Sequence, residues 1–471
     1  MRSAVNCLII LITTGMILSC TNQEQPAAAT VISGATLFDG TGSDPFENSV
    51  IVIRDQQIEC VGSQADCPVP AGAEVIEASG KYITPGLVDA HMHFAQTGFF
   101  DGRPDALDIR DVYPYTEVAA YQKLHPDRYY DSYLCSGVTA VYDVGGMSWS
   151  VDLQTSAEAN SMAPHVAASG PLLTPVPGAP FDLPSDRALV QLDSEQTGIE
   201  MVQFLSELGS TGIKFWQFQA DNEEYMARVA AAAEEIRRQG NQMIAHATTL
   251  EQAKAALRNG TKLLVHSVSD IEVDDEFIRL ALEHETIYNP TIIVDDGYLK
   301  AYRAAAGIEP MEVSDPRGCV DEQTLGRINN ADQLSDHPQF NEQFIDYIER
   351  GTDPQRMYDS DFIVRLNLIK VHEAGIPVVV GTDAGNPGTL HGISIYDEME
   401  AMQEAGIAAE DLIVMATQNG AMAMQRLEDF GTLETGKFAN LIILEEDPSE
   451  DISNMRSLSD VMIKGAFYKT N

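Results

Sequence analysis

Basic side chains are scarce in this chain: 29 Lys and Arg stand against 71 Asp and Glu in 471 residues, a formal net charge of −42. A surface that negative repels phosphate backbones and anionic headgroups, which rules against nucleic acid as a partner. It reads first as a solvated acidic surface, and second as a field that would steer a cationic substrate. Long apolar runs are scarce too. Beyond the first twenty residues, no stretch approaches the ~20 apolar residues of a membrane helix. None of the 6 cysteines has Cys-x-x-Cys spacing, which removes the usual thiolate metal site. What is there, 44% hydrophobic residues with 35 Gly and 22 Pro, is a globular composition. The length exceeds one ordinary core, so one large domain and a smaller one are expected.

Residues 1–20 read as a targeting segment: Met1-Arg2, an apolar run from Cys7 to Leu18, then Ser19-Cys20. The tetrad Ile17-Leu18-Ser19-Cys20 resembles a bacterial lipoprotein cleavage box, which implies lipidation of Cys20 and a polar tether over 21–30. An exported, membrane-anchored protein of the cell envelope is expected, facing the periplasm. In an oxidising compartment Cys60 and Cys67, seven apart around a turn, are candidates for a local disulfide.

Short β runs with turn signals fill 31–83, and the same texture returns over 427–471. A small β-sandwich built from both chain ends is expected. Between them, over 84–426, apolar strands alternate with helical stretches, the pattern of βα units around a parallel sheet. Eight strands are predicted, at 86–94, 138–144, 165–169, 212–218, 242–247, 263–268, 286–293 and 377–382. Helices are predicted at 223–239, 250–259, 275–284 and 362–374. The expectation is an α/β fold with a (β/α)8 TIM barrel. Two long connections, 95–133 and 295–361, would form lids or pocket walls.

Ionisable side chains fall at the C-terminal ends of these strands: His91 and His93, Lys214, His246, His266 and Asp383. Residues two apart in a strand face one side, so both imidazoles of His91-Met92-His93 can enter the barrel mouth. Singly, each has a plainer explanation, as a core imidazole, a surface lysine or a capping aspartate. Together, in apolar strands, they would be costly buried polar groups without partners. Metal coordination satisfies them all.

The stretches Pro85-Gly86-Leu87-Val88-Asp89-Ala90-His91-Met92-His93, 137–146, Gly381-Thr382-Asp383-Ala384-Gly385 and 431–441 resemble the amidohydrolase superfamily. The likeness is greatest to the branch holding imidazolonepropionase-like proteins and prolidase-type dipeptidases. Asn440 stands where that family generally has Asp. The resemblance implies two divalent ions, zinc foremost. His91 and His93 would hold the more buried ion, and His246 and His266 the other. Lys214 would bridge them as a carbamate formed with carbon dioxide. Asp383 would be both ligand and general acid/base while a metal-bridging hydroxide attacks the carbonyl.

Hydrolysis of a peptide or N-acyl-amino-acid C–N bond, dipeptidase- or prolidase-like, is the expected reaction. The alternatives are a cyclic amide or lactone hydrolase, a deaminase, and a non-catalytic binding lipoprotein. The resemblance sets deaminases apart by a His-x-x-Glu after the fifth strand. This chain reads His246-Ala247-Thr248-Thr249 there, without the Glu. A substrate α-carboxylate would want a cation or hydrogen-bond donor; Arg103, Arg110, His125, Arg128, Tyr288 and His391 are unranked candidates. The partner is a small molecule, and a homo-oligomer is compatible with the sequence.

Overall fold

The computed structural model describes residues 29–351 and 354–469. The targeting segment, Cys20 and nearly all of the tether lie outside the described residues. Strands from both chain ends share a five-stranded sheet in the order Ala466–Phe467, Leu458–Ile463, Leu441–Leu444, Tyr82–Pro85, Thr36–Leu37. A four-stranded sheet, Gln57–Gly62, Val50–Arg54, Thr30–Ser33 and Glu74–Glu77, packs against it. Ile32, Ile51 and Ile58 of one sheet and Ile83, Leu441 and Ile443 of the other share one buried apolar cluster.

Between the termini the sheets are parallel. Leu87–Met92, Val138–Asp143 and His165–Ala168 form a three-stranded sheet. A six-stranded one runs Leu189–Gln191, Leu172–Thr174, Ile213–Phe215, Met243–His246, Leu263–Val265, Ile287–Asn289. Val138–Asp143 is buried at every position, as expected of a strand covered on both faces.

The expected eight-stranded ladder is interrupted in two places. The run 377–382 forms no continuous strand; isolated bridges join Tyr288 with Val378 and, just past the run, Met92 with Ala384. The cause is local. The Asp89 carboxylate takes the N–H and hydroxyl of Thr382, at 3.0 and 2.7 Å, and Asp383 turns to φ +56°, yet the backbone keeps single bonds to both neighbours: Val379 N to Tyr288 O, Ala90 N to Val380 O and Asp383 N to His91 O. Between His165–Ala168 and Ile213–Phe215 the contact is a single bond from Thr211 N to Ala168 O, 2.9 Å. The strands Leu172–Thr174 and Leu189–Gln191 were not expected; each is only three residues, too short for a periodicity signal.

Helices followed their end signals more closely. Glu223–Gln239 has the predicted bounds: Asn222 accepts from Tyr225 N, acids fill the first turn and arginines the last, and Gly240 ends it at φ +69°. The long connections are not bare loops. They contain helices Tyr115–Leu124, Asp127–Cys135, Val294–Ala305, Glu322–Asn329 and Glu342–Gly351. Cys60 and Cys67 are bonded, and a second disulfide joins Cys135 to Cys319 across 184 residues. No helix among the described residues is long and apolar enough to cross a membrane.

Candidate metal centre

A cavity of about 340 Å³ opens where the C-terminal ends of the parallel strands meet. His93, Lys214, His246, His266 and Asp383 line it, and fully buried His91 lies directly behind them. Asp383 is the hub. Its Oδ1 lies 2.9 Å from His93 Nε2 and 3.2 Å from His91 Nε2, and its Oδ2 lies 3.9 Å from His266 Nε2. Lys214 Nζ is 3.2 Å from His91 Nε2. The His246 ring centroid is 4.3 Å from that of His266. All six predicted residues are brought together, and among them His91, His266 and Asp383 form a group that could hold a metal ion.

Their surroundings decide which ring nitrogens face inward. His93 Nδ1 lies 2.6 Å from Gly145 O, a carbonyl that can only accept, so Nδ1 carries the proton. His91 Nδ1 is 3.0 Å from Asn289 Oδ1, while the Asn289 amide nitrogen donates to Val379 O and Gly381 O. His91 therefore also keeps its proton on Nδ1. In the neutral rings both unprotonated Nε2 atoms then lie at 3.2 and 2.9 Å from Asp383 Oδ1, a buried oxygen that accepts no hydrogen bond. Unprotonated nitrogens and a carboxylate oxygen this close repel one another; Lys214 Nζ can donate to His91 Nε2 at 3.2 Å, and a metal cation among them would turn the remaining repulsion into coordination. The donor set fits a divalent metal, with oxygen and imidazole ligands and no thiolate. Outer hydrogen bonds of this kind commonly orient metal-bound histidines.

The electrostatics agree. Burial, with the Lys214 charge adding to it, lowers His91 to about 4 and His246 to about 3. Burial and His246 hold His266 well below its ordinary value. All three are neutral, and hence able to ligate, at neutral pH. Burial would lower His93 as well, but Asp143 and Asp383 outweigh it and raise it. Burial brings Lys214 down to about 8. Burial would raise Asp383, yet His91 and His93 keep it well below the carboxylate range.

Backbone strain is found in the same place. His266 and Asp383 hold φ of +74° and +56°, and Thr291, 2.8 Å from His266 Nδ1, holds +47°. Each such conformation costs about 1–3 kcal/mol and persists where surrounding contacts over-determine it. At Gly381 a Cβ would meet His91 N at 2.8 Å, which explains the glycine before Thr382-Asp383.

The substrate-side candidates separate cleanly. His125 is exposed and stacks on Tyr121, and Tyr288 is buried with its hydroxyl accepting from Val268 N. His391 is buried between Tyr133 and Gln96 O. None of these three lines the cavity; Arg103 does. Residues the sequence reading missed are Asn289, Thr291 and Asp143, which act through the histidines. No spacing pattern marks them, because their partners are distant in sequence.

The profile of the Amidohydrolase family matches residues 82–467. An imidazolonepropionase of Idiomarina loihiensis is 37% identical over 67 residues, 14% of this chain and 16% of that protein, so the chain is aligned to only a small part of that relative. A 5-methylthioadenosine/S-adenosylhomocysteine deaminase of Natronomonas pharaonis is 24% identical over 417 residues, 81% of this chain and 78% of that protein. A solved Xaa-Pro dipeptidase with methionine bound in its active site superposes with a TM-score of 0.67 at 20% identity, covering 94% of this chain and all of that one, a likeness of fold. The family profile spans most of the sequence and every residue of the centre, and this chain belongs to the amidohydrolase family.

Proposed function

We propose that this protein is a metal-dependent hydrolase cleaving amide C–N bonds, in the manner of a dipeptidase or an N-acyl-amino-acid hydrolase. The observation that carries the reading is the convergence of the His91 and His93 Nε2 atoms on an Asp383 oxygen without a hydrogen bond. His91, His93 and Asp383 would hold one divalent ion and His246 and His266 a second, zinc foremost, between strands that form the wall of a (β/α)8 barrel over 84–426. Lys214 would bridge them as a carbamate. Its amine is buried, and no carboxylate among the described residues lies within ion-pair reach of it, so added anionic oxygens would meet a need already present. Bound there, such ions lower the pKa of water and polarise a carbonyl.

The chain's own part is proton handling and placement. Asp383 takes the proton of the attacking water and returns it to the amide nitrogen as the C–N bond breaks. Asn289 and Gly145 O keep the two imidazoles aimed at that carboxylate. The long match to a deaminase favours a second reading, deamination. Against it stands His246-Ala247-Thr248-Thr249, which offers no carboxylate after the Met243–His246 strand.

Metal analysis of wild type and Lys214→Ala, with turnover on a panel of dipeptides and N-acyl amino acids, tests the proposal. Loss of about one metal equivalent and most turnover is expected. Unchanged metal content and activity would remove the two-ion centre, and a metal-free inert wild type would leave a binding lipoprotein. We place the protein in the cell envelope, anchored through Cys20; its two disulfides support an oxidising compartment. Membrane partition of Cys20→Ala beside wild type checks that placement, and equal partition would refute it.

A further inference from the structure

The three arginines in the connection after Leu87–Met92 have different fates. Arg110 is exposed and closed on Asp108. Arg128 is used by Asp321, Gln323 and Gln122 and does not line the cavity. Arg103 lines it. Its Nε and Nη2 each donate to a different oxygen of Asp105, both at 2.8 Å. That side-on pairing fixes the guanidinium plane and uses two of its five N–H groups. Of the three that remain, one on Nη2 and one on Nη1 form the end-on edge, and Nη1 has no hydrogen-bond partner among the described residues. Such an edge matches the two oxygens of a carboxylate.

The surroundings suit an organic acid. The Tyr298 ring lies 5.7 Å from the Arg103 guanidinium carbon. Tyr115 and Phe181, lining the same cavity, meet edge to face at 6.1 Å. Arg103 lines the same cavity of about 340 Å³ as Lys214, His246 and Asp383, so one small molecule can span the arginine and the metal centre.

We propose that Arg103, held by Asp105, is the carboxylate anchor of the substrate, and that Tyr115 and Phe181 receive an apolar group carried beside that carboxylate. This rests on the hydrolase reading for the bond that is cut, but not for the binding itself. The test uses the metal-loaded full chain and two uncleavable probes, 3-phenylpropanoate and 3-phenylpropan-1-ol, titrated by calorimetry. Wild type should bind the acid about 10- to 100-fold tighter than the alcohol, the worth of charge-assisted hydrogen bonds. In Arg103→Gln/Asp105→Asn, which removes both charges and strands neither, the ratio should fall to within about threefold. Arg103→Lys, the milder variant, should retain part of it. A ratio near one in wild type, or one undiminished in both variants because the acid sits on the metals, would overturn the proposal. Acid preference without turnover of any amide would sink the hydrolase reading alone; turnover without acid preference would sink this one alone.

Discussion

The bond between Cys135 and Cys319 closes 184 residues, whereas Cys60–Cys67 closes 7. On a chain-entropy account these loops are worth about 5 and about 2 kcal/mol. Both cysteines of the longer bond are buried in a satellite core with Phe99, Phe100, Ala304 and Leu334. That core joins the connection after Leu87–Met92 to the one after Ile287–Asn289, which brings Asp295 and Tyr298 to the cavity. Cys135→Ala/Cys319→Ala and Cys60→Ala/Cys67→Ala can be compared by urea unfolding, followed through the fluorescence of Trp149 and Trp216. The first pair should lower the midpoint by roughly twice as much as the second. Trp216, in the cavity wall, should report the change most strongly. Equal shifts, or a larger one for the short loop, would refute the reasoning that loop length governs the contribution.

Asn289→Ala should leave the fold intact but free the His91 ring, weakening metal affinity about 10- to 100-fold in chelator competition; unchanged affinity would mean packing alone orients the ring. Glu398 is buried, accepts from Ile292 N and Ile293 N at 2.9 and 3.1 Å, and is pushed by burial up to about 8. A carboxyl raised in the folded state contributes its stability below its unfolded pKa, near 4.5, and loses it as pH rises towards 8. Glu398→Gln, which cannot ionise, should therefore gain on wild type from pH 5 to pH 8 by up to a few kcal/mol, at about 1.4 kcal/mol per unit. A constant difference in melting temperature across that range would contradict it.

Local signals were legible wherever one residue type carries a local physical consequence. The helix Glu223–Gln239 could be read because its cap, end charges and terminal glycine all act within a turn of the chain. The six residues of the centre were legible because buried polar groups in apolar strands need a common partner. Gly381-Thr382-Asp383 misled only in shape. It reads as a strand end, but Asp89, almost three hundred residues earlier, takes the N–H and hydroxyl of Thr382, and only isolated bridges join the run to its neighbours.

Residue type and spacing by themselves determined which side chains must share a centre, that the middle of the chain is built of parallel βα units, and that both ends are β. Which nitrogen of His91 and of His93 faces Asp383, which of three arginines reaches the cavity, and that Cys135 finds Cys319 were decided only by the tertiary structure. The reason is physical. Burial need and backbone preference are properties of a residue and its near neighbours, whereas a hydrogen bond, an ion pair or a disulfide depends on a position in space that only the folded chain supplies.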